Sequence, residues 1–140
     1  MTAPSIVWFR QDLRLADQAA VAMATAEGPW IGVYVLDDAA PGHWAIGAAQ
    51  RWWLHHSLDA LSSALKERGG RLVLRRGDTL GELGTMAKAA GAVRIHALRH
   101  YEPWWQATEQ AVTGRFDLRL YGGGRLAPPG GVLTGAHGRY

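Results

Sequence analysis

The sequence predicts an α/β fold in which a doubly wound, five-stranded parallel sheet lies between two layers of helices, a Rossmann-like three-layer sandwich. Five short runs rich in β-branched, aromatic or leucine residues alternate with longer segments of helical period, the pattern of βαβ units. The chain of 140 residues, 48% of them hydrophobic, is long enough for one domain with a core. The predicted strands are Ser5–Phe9, Trp30–Leu36, Arg71–Leu74, Val93–Ala97 and Phe116–Tyr121.

The first two helices are predicted from their ends and their apolar spacing. Asp17 is a good N-cap residue before an alanine-rich run, and Gly28-Pro29 ends that run. In the second helix, leucines recur at spacings of four, three and four, which places them on one face. These residues are Leu54, Leu58, Leu61 and Leu65.

The last two helices begin with recognisable start signals. Thr79 and Glu82 have the spacing of a capping box, in which the hydroxyl and the carboxylate each bind a free backbone N–H. Pro103 suits the first turn of the fourth helix, and Gly114 ends it. With helices predicted between all five strands, right-handed crossovers give the doubly wound arrangement.

Composition narrows the functional classes. The absence of cysteine excludes a disulfide framework and a thiolate metal site. No secretory signal or membrane span is recognisable, so we expect a cytoplasmic protein without a membrane partner. The net charge of +3 is too small to establish a nucleic-acid partner.

Several common kinds of active site are excluded by spacing. The turn after the first strand contains no glycine, which excludes a dinucleotide fingerprint and a P-loop there. None of the serines has the flanking glycines of a nucleophile elbow. His55 and His56 are adjacent on a helix and point about 100° apart, so they cannot share a metal ion. We therefore predict neither catalytic residues nor metal ligands in this chain.

Polar and aromatic side chains at the carboxyl ends of the predicted strands are candidates for binding. This edge of an open parallel sheet is where α/β proteins place their ligands. Charges at loop ends also serve solubility, so both interpretations stay open. The candidates are Arg10, Asp12, Asp37, Asp38, Tyr101 and Glu102.

Two pairs of adjacent tryptophans allow two interpretations. Trp52-Trp53 and Trp104-Trp105 lie on predicted helices, where one ring of each pair points inward and the other sideways or outward. Packing in the core or at a domain interface is one interpretation. A stacking surface for a planar ligand is the other.

Three segments resemble the DNA photolyase and cryptochrome family. The run WFRQDLRLAD, residues 8–17, is similar to the family's N-terminal signature W-F-R-x-D-L-R-x-x-D. RWWLHHSLDAL, residues 51–61, resembles the second-helix signature of bacterial members. APPGGVLTG, residues 127–135, resembles the segment that leads from the first domain of the family to the second.

The resemblance implies that residues 1–121 form an antenna domain holding a light-harvesting chromophore: a deazaflavin, a flavin or a folate. Residues 122–140 would be an irregular linker, rich in glycine and proline, toward a C-terminal helical domain that binds FAD. That domain and damaged DNA are then the expected partners, and the parent would be a deoxyribodipyrimidine photolyase, a lyase that uses blue light. The 140 residues alone would be inactive, and exposed apolar surface would promote self-association.

Two other functions are compatible with part of this pattern. A cryptochrome-type photoreceptor has the same N-terminal domain, and a free-standing nucleotide-binding α/β module would need no second domain.

One departure from the family bears on the chromophore. Folate-binding members carry an Asn-Glu pair at the start of the fourth helix, where this chain has Trp104-Trp105. A folate is therefore disfavoured unless Glu102 substitutes for the missing acid. Asp37 and Glu102 are the acids expected at the ring, and His43 or Trp44 would occupy the position of a loop histidine in folate-binding members.

Overall fold

Five strands and four α-helices alternate along the part of the chain that the structure, a computed structural model, describes: residues 3–123 and 135–136. The strands are β1 Ser5–Phe9, β2 Trp30–Leu36, β3 Leu72–Arg76, β4 Arg94–Leu98 and β5 Asp117–Tyr121. The helices are α1 Ala19–Glu27, α2 Ala48–Glu67, α3 Thr79–Ala90 and α4 Pro103–Thr113. A short 3₁₀ helix, Gly42–Trp44, precedes α2.

The five strands form one parallel sheet in the order β3-β2-β1-β4-β5. The chain moves outward from β1 to β3 on one side and returns to pair β4 with the other side of β1. This order confirms the predicted doubly wound fold. Its topological switch point lies between β1 and β4, where open α/β sheets form a crevice at the strand ends.

Strand β1 is buried on both faces because helices cover both sides of the sheet. Ile6 and Trp8 face the layer of α3 and α4, whereas Val7 and Phe9 face α1 and α2. Gly32 of β2 allows this packing, since a Cβ there would lie 3.1 Å from the Phe9 ring. A continuously apolar strand is what a sheet covered on both faces requires.

Two helix starts differ from the predictions. Gln18, not Asp17, caps α1: its side-chain oxygen accepts from the first N–H groups, and Asp17 instead adopts a positive φ of 50°. Asp78, not Thr79, caps α3 by accepting from the N–H of Gly81. The predicted capping box at Thr79 is therefore wrong, because that hydroxyl binds another loop.

The remaining boundaries agree to within two residues. Strand β3 extends two residues beyond its predicted end because it pairs with β2 as far as Leu36↔Arg76. Apart from 122–123 and 135–136, the predicted linker lies outside the described residues. Within the described ranges, none of the helices has the length and apolar character to cross a membrane.

Candidate functional site

Arg10, the first residue after β1, is almost completely buried, with 2% of its surface exposed. Its guanidinium lies 2.8 Å from the carboxylate of Glu109 and donates to the carbonyl of Leu98. It also lies over two indole rings, 4.1 Å from the centroid of Trp8 and 5.2 Å from that of Trp105. Burial lowers the pKa of Arg10, and the charge of Glu109 opposes that shift. Arg10 therefore joins the end of β1 to α4.

Asp12 is also buried, and its carboxylate is fully engaged. Oδ1 accepts from the backbone N–H of Arg10 at 3.0 Å, and Oδ2 accepts from the Gln18 amide at 2.7 Å. His100 Nε2 lies 3.1 Å from Oδ1. An ionised carboxylate only accepts, so Nε2 carries the proton. Burial raises the pKa of Asp12, but the hydrogen bonds from His100 and Arg10 outweigh it and hold this pKa below its usual range.

A small cavity of about 230 Å³ opens at the switch point between β1 and β4. It brings together three of the predicted residues, Asp12, Tyr101 and Glu102. Its volume lies below the roughly 300–1,000 Å³ typical of pockets for organic ligands. The lining residues are Gln11, Asp12, Arg14, Leu98, Arg99, His100, Tyr101 and Glu102.

A larger crevice of about 660 Å³ lies on the other side of the same loop, between β1, β2 and the beginning of α2. This volume falls within the usual range for cofactor sites. Trp53 lines it and is 69% exposed, with its ring 6.0 Å from that of Trp52. The lining residues are Arg10, Gln11, Leu13, Arg14, Tyr34, Ile46, Ala49, Gln50, Trp53, Leu54 and Ser57.

Tyr34 provides the crevice with a hydroxyl that stays protonated. Burial raises its pKa to about 12, the nearby charge of Asp38 adds to the shift, and Arg51 opposes it. Across the physiological pH range the phenol therefore remains neutral and able to donate a hydrogen bond.

Asp37 and His43 lie apart from both cavities. The Asp37 carboxylate accepts from the backbone N–H groups of Ala39 and Ala40 at 3.2 and 3.1 Å. It also accepts from the N–H and the hydroxyl of Thr79, both at 3.0 Å, and thus binds the start of α3. His43 is exposed in the 3₁₀ helix. Neither residue is among the described residues that line the two cavities.

Sequence reasoning did not identify Glu109 or Tyr34. A signal for Glu109 exists, because Trp105, Glu109 and Val112 follow helical spacing on the inward face of α4, so the acid belongs to an apolar stripe. An acid at such a position needs a buried cation, and Arg10 is the one that the fold supplies. No sequence pattern indicates Tyr34, because a tyrosine within a strand is common and does not by itself suggest a site.

Two histidines have acidic partners that the sequence spacing does not reveal. His100 binds Asp12, and His96 Nε2 lies 2.6 Å from the carboxylate of Glu27. Each is a single His–carboxylate pair. Among residues 3–123 and 135–136, no group of three or more histidine or acidic side chains is arranged to hold a metal ion.

Nearly the whole length of this chain is similar to known proteins. A family model described as DNA photolyase matches residues 5–140. The chain belongs to the DNA photolyase family. It is 41% identical over 145 residues to the deoxyribodipyrimidine photo-lyase of Agrobacterium fabrum, an alignment that covers 99% of this chain and 30% of that protein. It is also 40% identical over 100 residues to cryptochrome-1 of Arabidopsis thaliana, covering 71% of this chain and 15% of the relative.

Solved structures agree with this family membership. The crystal structure of a class III photolyase from Agrobacterium tumefaciens superposes with a TM-score of 0.90 and 40% identity, covering all of this chain and 30% of that one. A Synechocystis cryptochrome superposes with a TM-score of 0.81 at 24% identity, covering 90% of this chain and 28% of that one, which supports the fold alone. The chain thus spans about 30% of the length of these photolyases.

Proposed function

We propose that this chain is an antenna domain whose larger crevice holds a planar, light-absorbing chromophore for a DNA photolyase. The crevice itself carries the proposal: it has the volume of a cofactor site and its wall includes an exposed indole, Trp53. Exposed tryptophan is unfavourable in water, and a planar heterocycle stacked on it would bury both surfaces.

The walls of the crevice suit a ring with polar edges. Leu13, Ile46 and Leu54 supply apolar surface, and the neutral phenol of Tyr34 and the amide of Gln50 supply hydrogen-bonding groups. Apolar walls with a few polar groups are the usual composition of sites for organic cofactors. Deazaflavin, flavin and folate all have such rings, and each of them is a candidate for the chromophore.

The smaller cavity has a supporting role in this account. Its residues Asp12 and His100 are hydrogen-bonded to each other and fix the loop that forms one wall of the crevice. Tyr101 and Glu102 line the same cavity, so they would contact the chromophore only if it extended beyond Gln11 and Arg14.

The activity of the whole protein is also a proposal. By family membership, the parent would use blue light and FAD, bound in a C-terminal helical domain, to repair cyclobutane pyrimidine dimers in damaged DNA. Residues 1–121 would be the antenna domain and 122–140 the linker. Self-association of the isolated domain would follow from the exposed rings of Trp44, Trp52 and Trp53.

A cryptochrome-type photoreceptor is the second candidate. It is supported by the 40% identity to cryptochrome-1 of Arabidopsis thaliana. Repair of an oligonucleotide that contains a thymine dimer, measured under blue light with the full-length protein, separates the candidates. Dimer loss supports the photolyase, and its absence from a flavin-loaded protein supports the photoreceptor.

Titration of the purified chain with FMN, a deazaflavin and a folate tests the antenna site. We expect saturable changes in absorbance or fluorescence for at least one of them. Trp53→Ala should weaken that binding about tenfold, which corresponds to about 1.4 kcal/mol of lost stacking. Trp44→Ala is the matched control, because Trp44 is 74% exposed but does not line the crevice. Absence of binding by all three compounds, or equal losses in both variants, would contradict the proposal.

A further inference from the structure

The larger crevice has a one-sided distribution of charge. Of the described residues that line it, the charged ones are Arg10 and Arg14, and none is acidic. Arg10 is neutralised at 2.8 Å by Glu109, and its guanidinium lies against Trp8 on the opposite face of the sheet. The uncompensated positive charge of the crevice therefore belongs to Arg14.

Arg14 is held in place without being neutralised. Its Nε and Nη2 both donate to the backbone carbonyl of Asp17, at 3.1 and 3.0 Å. Asp17 has a positive φ of 50°, a conformation that is uncommon for residues other than glycine. The ion pairs among the described residues do not include Arg14. A carbonyl orients a guanidinium but leaves its full charge, and Nη1 stays free of these two bonds.

The position of Arg14 places this charge at the end of the crevice. Arg14 and Gln11 line both the larger crevice and the smaller cavity, so they stand where the two adjoin. The acids of that region, Asp12 and Glu102, lie on the side of the smaller cavity. Arg14 therefore lines the crevice directly, whereas these two carboxylates do not.

The first turn of α2 adds a weaker attraction of the same sign. Ala49 and Gln50 line the crevice, the N-cap Gly47 provides no side-chain hydrogen bond, and the first turn contains no acid. Free N–H groups at a helix start favour anions.

We infer that the crevice selects a planar ring that carries an anionic group, a phosphate or a carboxylate, and that Arg14 binds this group. The inference rests on the proposed function, because it assumes that the ring occupies the crevice. Guanidinium groups bind both anions through paired N–H donors. A chromophore without an anionic group would leave the charge of Arg14 unused and would bind less tightly.

FMN and riboflavin test this inference, because they share one ring system and differ in a phosphate. At low ionic strength we expect FMN to bind about fivefold more tightly than riboflavin, the effect of one exposed charge pair. In Arg14→Gln most of the preference for FMN should be lost, and only the weaker contribution of the first turn of α2 should remain, while the affinity for riboflavin stays within twofold of that of the parent chain. Arg71→Gln, which removes an exposed arginine outside the crevice lining, should keep the preference.

Salt and a second pair of compounds complete the test. The preference for FMN should shrink as salt is raised toward 1 M, because the screening length falls to about 3 Å. Folates with one and with three glutamates test carboxylate as the anion. If the added glutamates raise the affinity more than the flavin phosphate does, carboxylate is the natural anion.

Failure of the inference is distinguishable from failure of the proposed function. Equal binding of FMN and riboflavin, both weakened by Trp53→Ala, would overturn the role of Arg14 and keep the antenna site. A preference for FMN that is undiminished in Arg14→Gln would also overturn the role of Arg14 and keep the antenna site. Absence of any flavin or folate binding would overturn both.

Discussion

The loop after β1 separates two regions that are built in opposite ways. Toward β4 and α4, Arg10 and Asp12 are buried, and each is paired, Arg10 with Glu109 and Asp12 with His100. Toward β2 and α2, the crevice is open, Trp53 is exposed and the cation Arg14 has no acidic partner within the described part of the chain. The residues of one sequence signature therefore differ in role: the buried charges fix the loop, and the exposed Arg14 lines the crevice that we propose as the ligand site.

The physical reason for this separation is the cost of burying charge. A buried guanidinium is tolerated only when a carboxylate and hydrogen bonds replace its water, and Glu109 and the Leu98 carbonyl do so. The two terminal nitrogens of Arg10 are thus engaged within the protein. Binding groups have to remain accessible, and the groups that we propose for binding lie at the exposed beginning of α2 and on the outer part of the loop.

Breaking the buried ion pair between Arg10 and Glu109 should produce the largest loss of stability. In Arg10→Met, Glu109 would be left as a buried charge without its cation, at a cost of about 3–5 kcal/mol in the free energy of unfolding. Urea denaturation followed by circular dichroism measures this loss. The double variant Arg10→Met/Glu109→Leu should recover much of it, since neither member of the pair is then left as an unpaired buried charge. A loss below about 1 kcal/mol in the single variant would show that the pair does not hold the loop.

The dependence of the free energy of unfolding on pH in the acid range tests the role of the buried Asp12. The folded-state pKa of Asp12 lies below its unfolded value, so the unfolded chain binds more protons as the pH falls. Its contribution is therefore complete above about pH 4 and is lost as the pH falls through the lower, folded-state pKa.

Asp12→Asn removes that contribution. At pH 7 we expect a loss of about 1–3 kcal/mol, because Gln18 and Arg10 lose a charged acceptor. The difference from the parent chain should narrow below about pH 4. Urea denaturation at pH 7, 5, 4 and 3 checks this, and a difference that stays constant down to pH 3 would contradict the assigned role.

Asp37 should affect stability and leave binding unchanged. In Asp37→Asn, one of the two carboxylate oxygens is replaced by an NH2 donor, so either the bonds from Thr79 or those from Ala39 and Ala40 are lost, which should cost about 1–2 kcal/mol. The dissociation constant of the chromophore should stay within twofold. Glu102→Gln, measured alongside, tests the other acid expected at the ring. A tenfold loss of affinity in either variant, with stability preserved, would place the ring at these acids instead of at Trp53.

The sequence predicts most of the fold because strand patterns and glycine-rich boundaries are local. It also places Asp12, Tyr101 and Glu102 together, since parallel strands end at one edge of the sheet. It does not predict the choice of Gln18 over Asp17 as a cap, because that choice depends on Asp12 holding the Gln18 amide.

The site residues that escape prediction depend on contacts between distant segments. Glu109 pairs with Arg10 only after α4 has packed on the sheet, and Tyr34 joins Trp53 only through the position of α2. Asp37 is an acid at the end of a strand, as a ligand contact would be, yet its carboxylate accepts hydrogen bonds from Thr79. Residue type alone does not separate a binding acid from one that organises a loop.

A crystal structure of this chain with its bound chromophore tests most directly whether the crevice beside α2, and not the smaller cavity, is the binding site. We expect the ring against Trp53, between α2 and the end of β2, with Arg10 and Asp12 unchanged in their internal contacts. A ring against Tyr101 and Glu102 in the smaller cavity, with the Asp12–His100 hydrogen bond opened, would contradict it.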